Sequence, residues 1–455
     1  MGITSVRLAR YSREFSYDHL PVETVHQAKR LFLNAICCSI PGFYGASSKI
    51  IRNTIKEVGG VPECTIIGSS IKTSCENAIL INGSSSHYWD ARDWYGGPID
   101  TCHPSDNIAV ALSLAERQGS SGKQLLAAIV LGYEVDCRLT DHAGIFDDGF
   151  DFATYAAYST PAIAGYLLGL STEQIVNAMG VSGCLSNALI QSRSGVLSML
   201  KVPAFHLVAR QAIFASLLAK NGFTGPKEIF EGDNGFCRRI AGDFDIPRLG
   251  GEEGEDFKVN QTVMKQFSVG FWAQSAVRAA IENVSENDIK SNDVEEVRVK
   301  LATCAANFMA GGKVKWEVTT TEAAQNSAPY CIAVAIHDRL ATPNQFTSEK
   351  IMESSVRNLM QKIKITGDKD IDKLYPQMQQ AEVTIKVKGG EEFTKRADYP
   401  IGHPMSPASD EQLATKFRTY TKSLLSESQI EGAISLIMNL EKADNIRELF
   451  PLLEI

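Results

Sequence analysis

The chain has 455 residues, 44% hydrophobic and 22% charged, with 53 acidic against 45 basic residues and a net charge of −8. That length can bury a sizeable core and suggests two or three domains. The acidic balance, with no Lys/Arg-rich run, argues against nucleic acid as a partner, and no apolar run approaches the ~20 residues of a bilayer-spanning helix.

Met1 to Ser5 carries no charged-then-apolar leader pattern, so a cytoplasmic location away from membranes is expected. The ten cysteines are scattered without C-x-x-C spacing, which points to buried thiols and away from a zinc or cluster site. Pro21 precedes Val22, Val25, Ala28, Leu31, Phe32 and Ala35, one apolar helical face. Helices are predicted again over Asn107–Ala115, Lys123–Val135, Ser159–Leu170 and Lys201–Asn221, the last ended by Gly222. No strand-helix alternation with a glycine fingerprint occurs, so a dinucleotide fold is not expected. Gly250–Asp256 reads as a solvated acidic linker.

Beyond it the texture changes. Val294–Leu301 alternates partly, like a strand. Val383–Lys388 alternates cleanly, and Gly389-Gly390 can turn it into a second strand around Phe393. Helices are predicted near Ala328–Leu340 and Ser348–Ile363, and again from Asp410 to Leu453. The expected fold is mainly α with an inserted α+β domain. Residues 1–262 and 404–455 form a discontinuous helical domain, residues 263–403 a smaller lid domain, and a cleft between them is the natural ligand site.

Several residues could carry chemistry. In the stretch Asn82–Asp93, with His103-Pro104-Ser105 following, His87, Asp90, Asp93 and His103 all have metal-ligating atoms, but no paired-histidine helix motif joins them. A capped, solvated loop is the plain alternative. Lys201 precedes an apolar helix, where the dipole disfavours a cation; an anion could hold it there, or water could. His206, among Phe205, Leu207 and Val208, reads as a satisfied core histidine. Lys265 alone reads as a surface lysine, and Tyr330, after Pro329, as core packing.

Five blocks in order carry a resemblance. They are the Asn82-Gly83 to His103-Pro104-Ser105 stretch; Lys201 through Arg210 to Gly222–Pro226, Phe230-Glu231-Gly232 and Gly235-Phe236; Lys265–Val269 with Gln274–Val277; Trp316 through Glu322 and Ser327 to Tyr330; and Gly402-His403-Pro404 with Lys416-Phe417-Arg418. Together they resemble the MmgE/PrpD family. The resemblance implies a homodimer of helical domains with inserted lids, needing neither cofactor nor metal and acting on a small-molecule carboxylate. It implies a catalytic His103 oriented by Asp90, with Tyr330 as a second acid-base group and Lys201 and Lys265 as carboxylate anchors. Phe152, or Asp151, stands where the family usually has a histidine. Thr321, Gln325 and Asn326 stand where it has an Arg…Asp-His set, and about three extra residues surround Trp94–Gly97. Phe152, Gln325 and Asn326 are therefore expected to touch a substrate with fewer carboxylates or more apolar bulk. The expected activity is that of a lyase, a dehydratase of a citrate-like or alkyl-substituted hydroxy polycarboxylate. Decarboxylation or epimerisation in the same pocket is the alternative, and a non-catalytic binding dimer the alternative from another class.

Overall fold

The computed structural model describes residues 3–455. Nine helices come first: α1 (Thr4–Glu14), α2 (Val22–Gly42), α3 (Ala46–Val58), α4 (Cys75–His87), α5 (Asp106–Gln118), α6 (Gly122–His142), α7 (Ala156–Leu168), α8 (Thr172–Leu185) and α9 (Ala204–Lys220). Their ends follow local chemistry. Ser121 with Gln124 and Ser171 with Gln174 form capping boxes at the starts of α6 and α8. Gly119 and Gly169, both left-handed, end α5 and α7.

α4 is the axis of this body, buried continuously from Asn77 to His87, and it packs against α2, α5 and α9. Close approach is what its small residues permit. A Cβ on Gly83 would stand 1.9 Å from the His206 ring on α9, and one on Gly42 would stand 1.8 Å from the Ser85 carbonyl oxygen. One hydrophobic core runs through these helices and takes in the C-terminal helices Asp410–Thr421 and Glu427–Met438.

A second core lies between Val269 and Ala397. Here α10 (Gln274–Glu286), α11 (Thr303–Ala310), α12 (Thr321–Gln325) and α13 (Ala328–Asp338) accompany a four-stranded sheet. Short two-strand and three-strand pairings precede it: β1 (Cys64–Thr65), β2 (Lys72–Thr73), β3 (Asp93–Gly96), β4 (Thr101–Cys102) and β5 (Val263–Met264). The larger sheet holds β6 (Val294–Leu301), β7 (Ile363–Gly367), β8 (Ala381–Val387) and β9 (Glu392–Ala397) in the order β7-β6-β8-β9. β6 pairs parallel to β7 and antiparallel to β8, and β8 pairs antiparallel to β9. Val297, Val299 and Leu301 of β6 and Val383 and Ile385 of β8 face the core, the period-2 burial of a sheet covered on one side. α10 lies across β8 and β9, where the Asn283 amide donates to the Val383 and Phe393 carbonyls.

The acidic stretch Gly250–Asp256 is no free linker. Glu252 pairs with Arg7, and Glu255 with Arg138 of α6. The Gly250 N–H donates to the buried Glu134 carboxylate, so the segment is tied to the helical body. Among the described residues no helix is long and apolar enough to cross a membrane.

Candidate active site

The site grows from the turn that ends α4. Asp90 adopts φ 51°, a left-handed conformation that aspartate tolerates better than most residues. β3 begins just after it and pairs with β5, placing Asp93 opposite Met264. That register brings in Lys265, whose N–H donates to the Arg92 carbonyl and whose ammonium donates to Asp90 Oδ1 at 2.5 Å. Lys201, in the short helical turn Met199–Lys201 before α9, donates to Asp90 Oδ2 at 2.9 Å. All three side chains are buried. Burial alone would raise the Asp90 pKa, but Lys201 and Lys265 hold it well below the usual carboxylate range. Burial pulls the Lys265 ammonium below its ordinary value, with Asp90 opposing.

A third lysine supports this arrangement from behind. Lys416, buried on the Asp410–Thr421 helix, donates to the Ala91 carbonyl at 2.6 Å, the Lys265 carbonyl at 2.7 Å and Asn34 Oδ1 at 2.7 Å. It thus joins the backbone next to Asp90 to the backbone of Lys265.

His103 follows β4, which pairs with the other edge of β3. Its Nδ1 lies 2.6 Å from the Asp93 carbonyl oxygen, an atom that can only accept. Nδ1 therefore carries the proton and Nε2 is bare. Asp93 is itself held by Ser105 Oγ at 2.5 Å and Tyr133 OH at 2.7 Å. Burial, then Lys265 and His87, keep the His103 pKa well below its ordinary value, with Asp90 opposing. The result is a neutral imidazole with a free lone pair, beside two ammonium groups.

A cavity of about 130 Å³ opens here between the helical body and the α+β unit. Its polar wall includes Asp90, Asp100, His103, Lys201, Lys265, Arg193 and Asn326. Trp94, Phe152, Phe271, Trp272, Phe308 and Met309 supply an apolar one. Trp94 stacks on Phe271 with ring centroids 3.5 Å apart, and Phe152 meets His103 edge-on at 5.3 Å. Among the described residues no three His, Cys, Asp or Glu side chains converge so as to hold a metal ion.

Comparison with known proteins matches the sequence along nearly the whole chain. The MmgE/PrpD N-terminal domain model matches residues 6–249 and the MmgE/PrpD C-terminal domain model residues 267–442. The chain belongs to the MmgE/PrpD family. A cis-aconitate decarboxylase of Aspergillus terreus is 23% identical over 100% of this chain and 96% of its own length. The cis-aconitate decarboxylase of Homo sapiens is 25% identical over 96% of this chain and 91% of its own. The mitochondrial 2-methylcitrate dehydratase of Yarrowia lipolytica is 22% identical over 94% of this chain and 85% of its own.

Within this MmgE/PrpD framework some expected site residues meet and others do not. Asp90, His103, Lys201, Lys265, Phe152 and Asn326 all line one cavity. Asp90 does not orient His103: its carboxylate oxygens go to the two lysines, and the Asp93 backbone carbonyl fixes the imidazole tautomer. Tyr330 is not in the cavity. It lies within α13, fully buried, donating its hydroxyl to the Gln345 carbonyl at 2.6 Å and packing on Phe346. Gln325 also stays out of the cavity wall, its amide donating to the Tyr88 carbonyl at 3.3 Å, whereas Asn326 reaches Asp90 Oδ2 at 3.5 Å. His206 is buried but not satisfied. It sits 3.4 Å from Asp106 Oδ1 with neither ring nitrogen in a well-formed hydrogen bond. Arg193, Phe271, Trp272, Phe308, Met309 and Lys416 are the candidates that reading the sequence missed. Only Lys416 stood in a block with a signal.

Proposed function

We propose that the chain is a cofactor-free lyase that begins by moving a proton from substrate carbon to Nε2 of His103. The carrying observation is the bare Nε2 of a neutral imidazole beside two lysines that share a single carboxylate. Two ammonium groups against one aspartate leave a surplus positive charge for a substrate carboxylate. That charge stabilises the enolate-like character that develops when the adjacent C–H bond breaks. His103 takes this proton, the C–H electrons become the new C=C bond, and the C–O bond to the β-hydroxyl breaks. Lys265 is the donor suited to the departing hydroxide, since burial lowers the pKa of its ammonium. Water leaves, and the imidazolium returns the proton to lysine. Tyr330 has no part in this scheme. The substrate class is a small hydroxy acid with more than one carboxylate and an apolar arm for the aromatic wall.

A second reading is decarboxylation. It is favoured by that same apolar wall, which destabilises a carboxylate but not carbon dioxide, and by the relatives named cis-aconitate decarboxylase. Incubation with a panel of citrates, alkylcitrates and unsaturated tricarboxylates, followed by mass spectrometry, separates the two. Loss of water supports dehydration and loss of carbon dioxide the alternative. No change in mass contradicts both, and a change in chirality at constant mass would show epimerisation instead.

A further inference from the structure

The cavity has a third cationic side chain, apart from the two lysines on Asp90. Arg193 lies in the segment between α8 and the Met199–Lys201 turn, and lines the cavity together with Ile190, Ser194 and Leu197. Its Nε donates to Asp151 Oδ2 at 2.7 Å, and its guanidinium carbon sits 4.3 Å from the centre of the Phe152 ring. Phe152 in turn touches His103 edge-on. Asp151 is fully buried, and Ser192 Oγ at 2.6 Å and the Ala153 N–H at 2.9 Å also donate to it.

A guanidinium has five N–H donors. Among the described residues only Nε of Arg193 has an acceptor: Nη2 is enclosed without a partner, and Nη1 makes no hydrogen bond. Nη2 has no room for an incoming acceptor, so Nη1, on a side chain 13% exposed, is the donor a ligand can reach, and a largely desolvated charged donor without a partner favours one. The Phe152 ring and the Asp151 carboxylate fix the fork in place, so little freedom is lost when an acceptor arrives. A histidine in place of Phe152 would offer the guanidinium a like charge or a competing lone pair; phenylalanine leaves the fork free.

We infer that Arg193 forms a second carboxylate subsite, which takes the acid group of the substrate that lies farther from the Lys201–Lys265 pair. This deepens the proposed function and rests on its assignment of the lysines as the first carboxylate site. Arg193 is then a binding and specificity residue, not a proton carrier.

The test uses calorimetric titration of the full-length protein with linear diacids from about four to eight carbons, and with monoacids of the same lengths. Wild type should bind at least one diacid about tenfold more tightly than the matching monoacid, the scale of one charge-assisted hydrogen bond. Arg193→Lys keeps a cation against Asp151 but loses the fork, and should remove that advantage by lowering diacid affinity far more than monoacid affinity. Ser192→Ala weakens the same Asp151 network without touching the cavity and should retain the advantage. If Arg193→Lys keeps it too, or if both variants lose it alike, Arg193 only supports Asp151 and the inference is overturned. If wild type binds neither diacid nor monoacid, the assignment of the lysines falls as well, and with it the proposed function.

Discussion

Asp90→Asn changes one charge at the centre of the site and should separate stability from anion affinity. Asp90 meets Lys265 at 2.5 Å and Lys201 at 2.9 Å. At an effective dielectric of about 20, each contact is worth roughly 6 kcal/mol before desolvation is counted. Removing one partner of a buried charge group typically costs about 3–5 kcal/mol, because the remaining charges are left uncompensated. The cost should fall at the lower end, about 3 kcal/mol, because Lys265 can shed its proton once Asp90 no longer opposes its desolvation. Denaturant titration of wild type and variant measures the loss directly. The gap between them should narrow as pH rises, because burial lowers the pKa of the Lys265 ammonium and its uncompensated charge is lost first. Affinity for a carboxylate ligand should change little at neutral pH, because a neutral Lys265 leaves one surplus positive charge, as the two lysines and one aspartate do in wild type. A variant as stable as wild type, or one whose deficit grows with pH, would refute the reasoning.

Tyr330→Phe should cost about 1 kcal/mol of stability, for one hydroxyl bonded to the Gln345 carbonyl, and leave turnover unchanged; a large drop in kcat would return Tyr330 to the chemistry. Gly83→Ala should destabilise by about 2 kcal/mol or more in thermal melts, since the added Cβ would stand 1.9 Å from His206. Acid stability should follow the buried histidines. Burial, foremost, pulls His87 down to about 3 and His206 to about 4, so both stay neutral in the folded protein while the unfolded chain protonates near 6.5. Their contribution is complete above that pH and is lost as pH falls toward 4 and then 3. Denaturation midpoints that stay flat from about pH 7 to pH 4 would contradict this.

Some of this was legible before any coordinates. The β8–β9 hairpin announced itself because Val383–Lys388 alternates and Gly389-Gly390 supplies the turn. β1 to β5 have two to four residues each, too short to show a period, yet the β3–β5 register is what delivers Lys265 to Asp90. Lys201 and Lys265 lie 111 and 175 residues from Asp90, and nothing local distinguishes them from surface lysines. Only the family resemblance grouped them. The same resemblance placed Tyr330 in the site, because a tyrosine opening an apolar helix reads alike whether its hydroxyl finds a substrate or the Gln345 carbonyl. Arg193 sits in an irregular segment without periodicity, and its role depends on Asp151 and Phe152, whose side chains the sequence could not orient.

The central claim is that His103, kept neutral by burial and the nearby Lys265 charge and fixed in its tautomer by the Asp93 carbonyl, takes the substrate proton. His103→Ala tests it most directly, with turnover of the substrate found by the mass-spectrometric panel measured beside calorimetric binding of that substrate or a carboxylate analogue. A positioned base is worth roughly 10²- to 10⁴-fold in rate, so kcat should fall by at least a hundredfold while the ligand still binds. A folded His103→Ala protein that turns over its substrate at the wild-type rate would contradict the account.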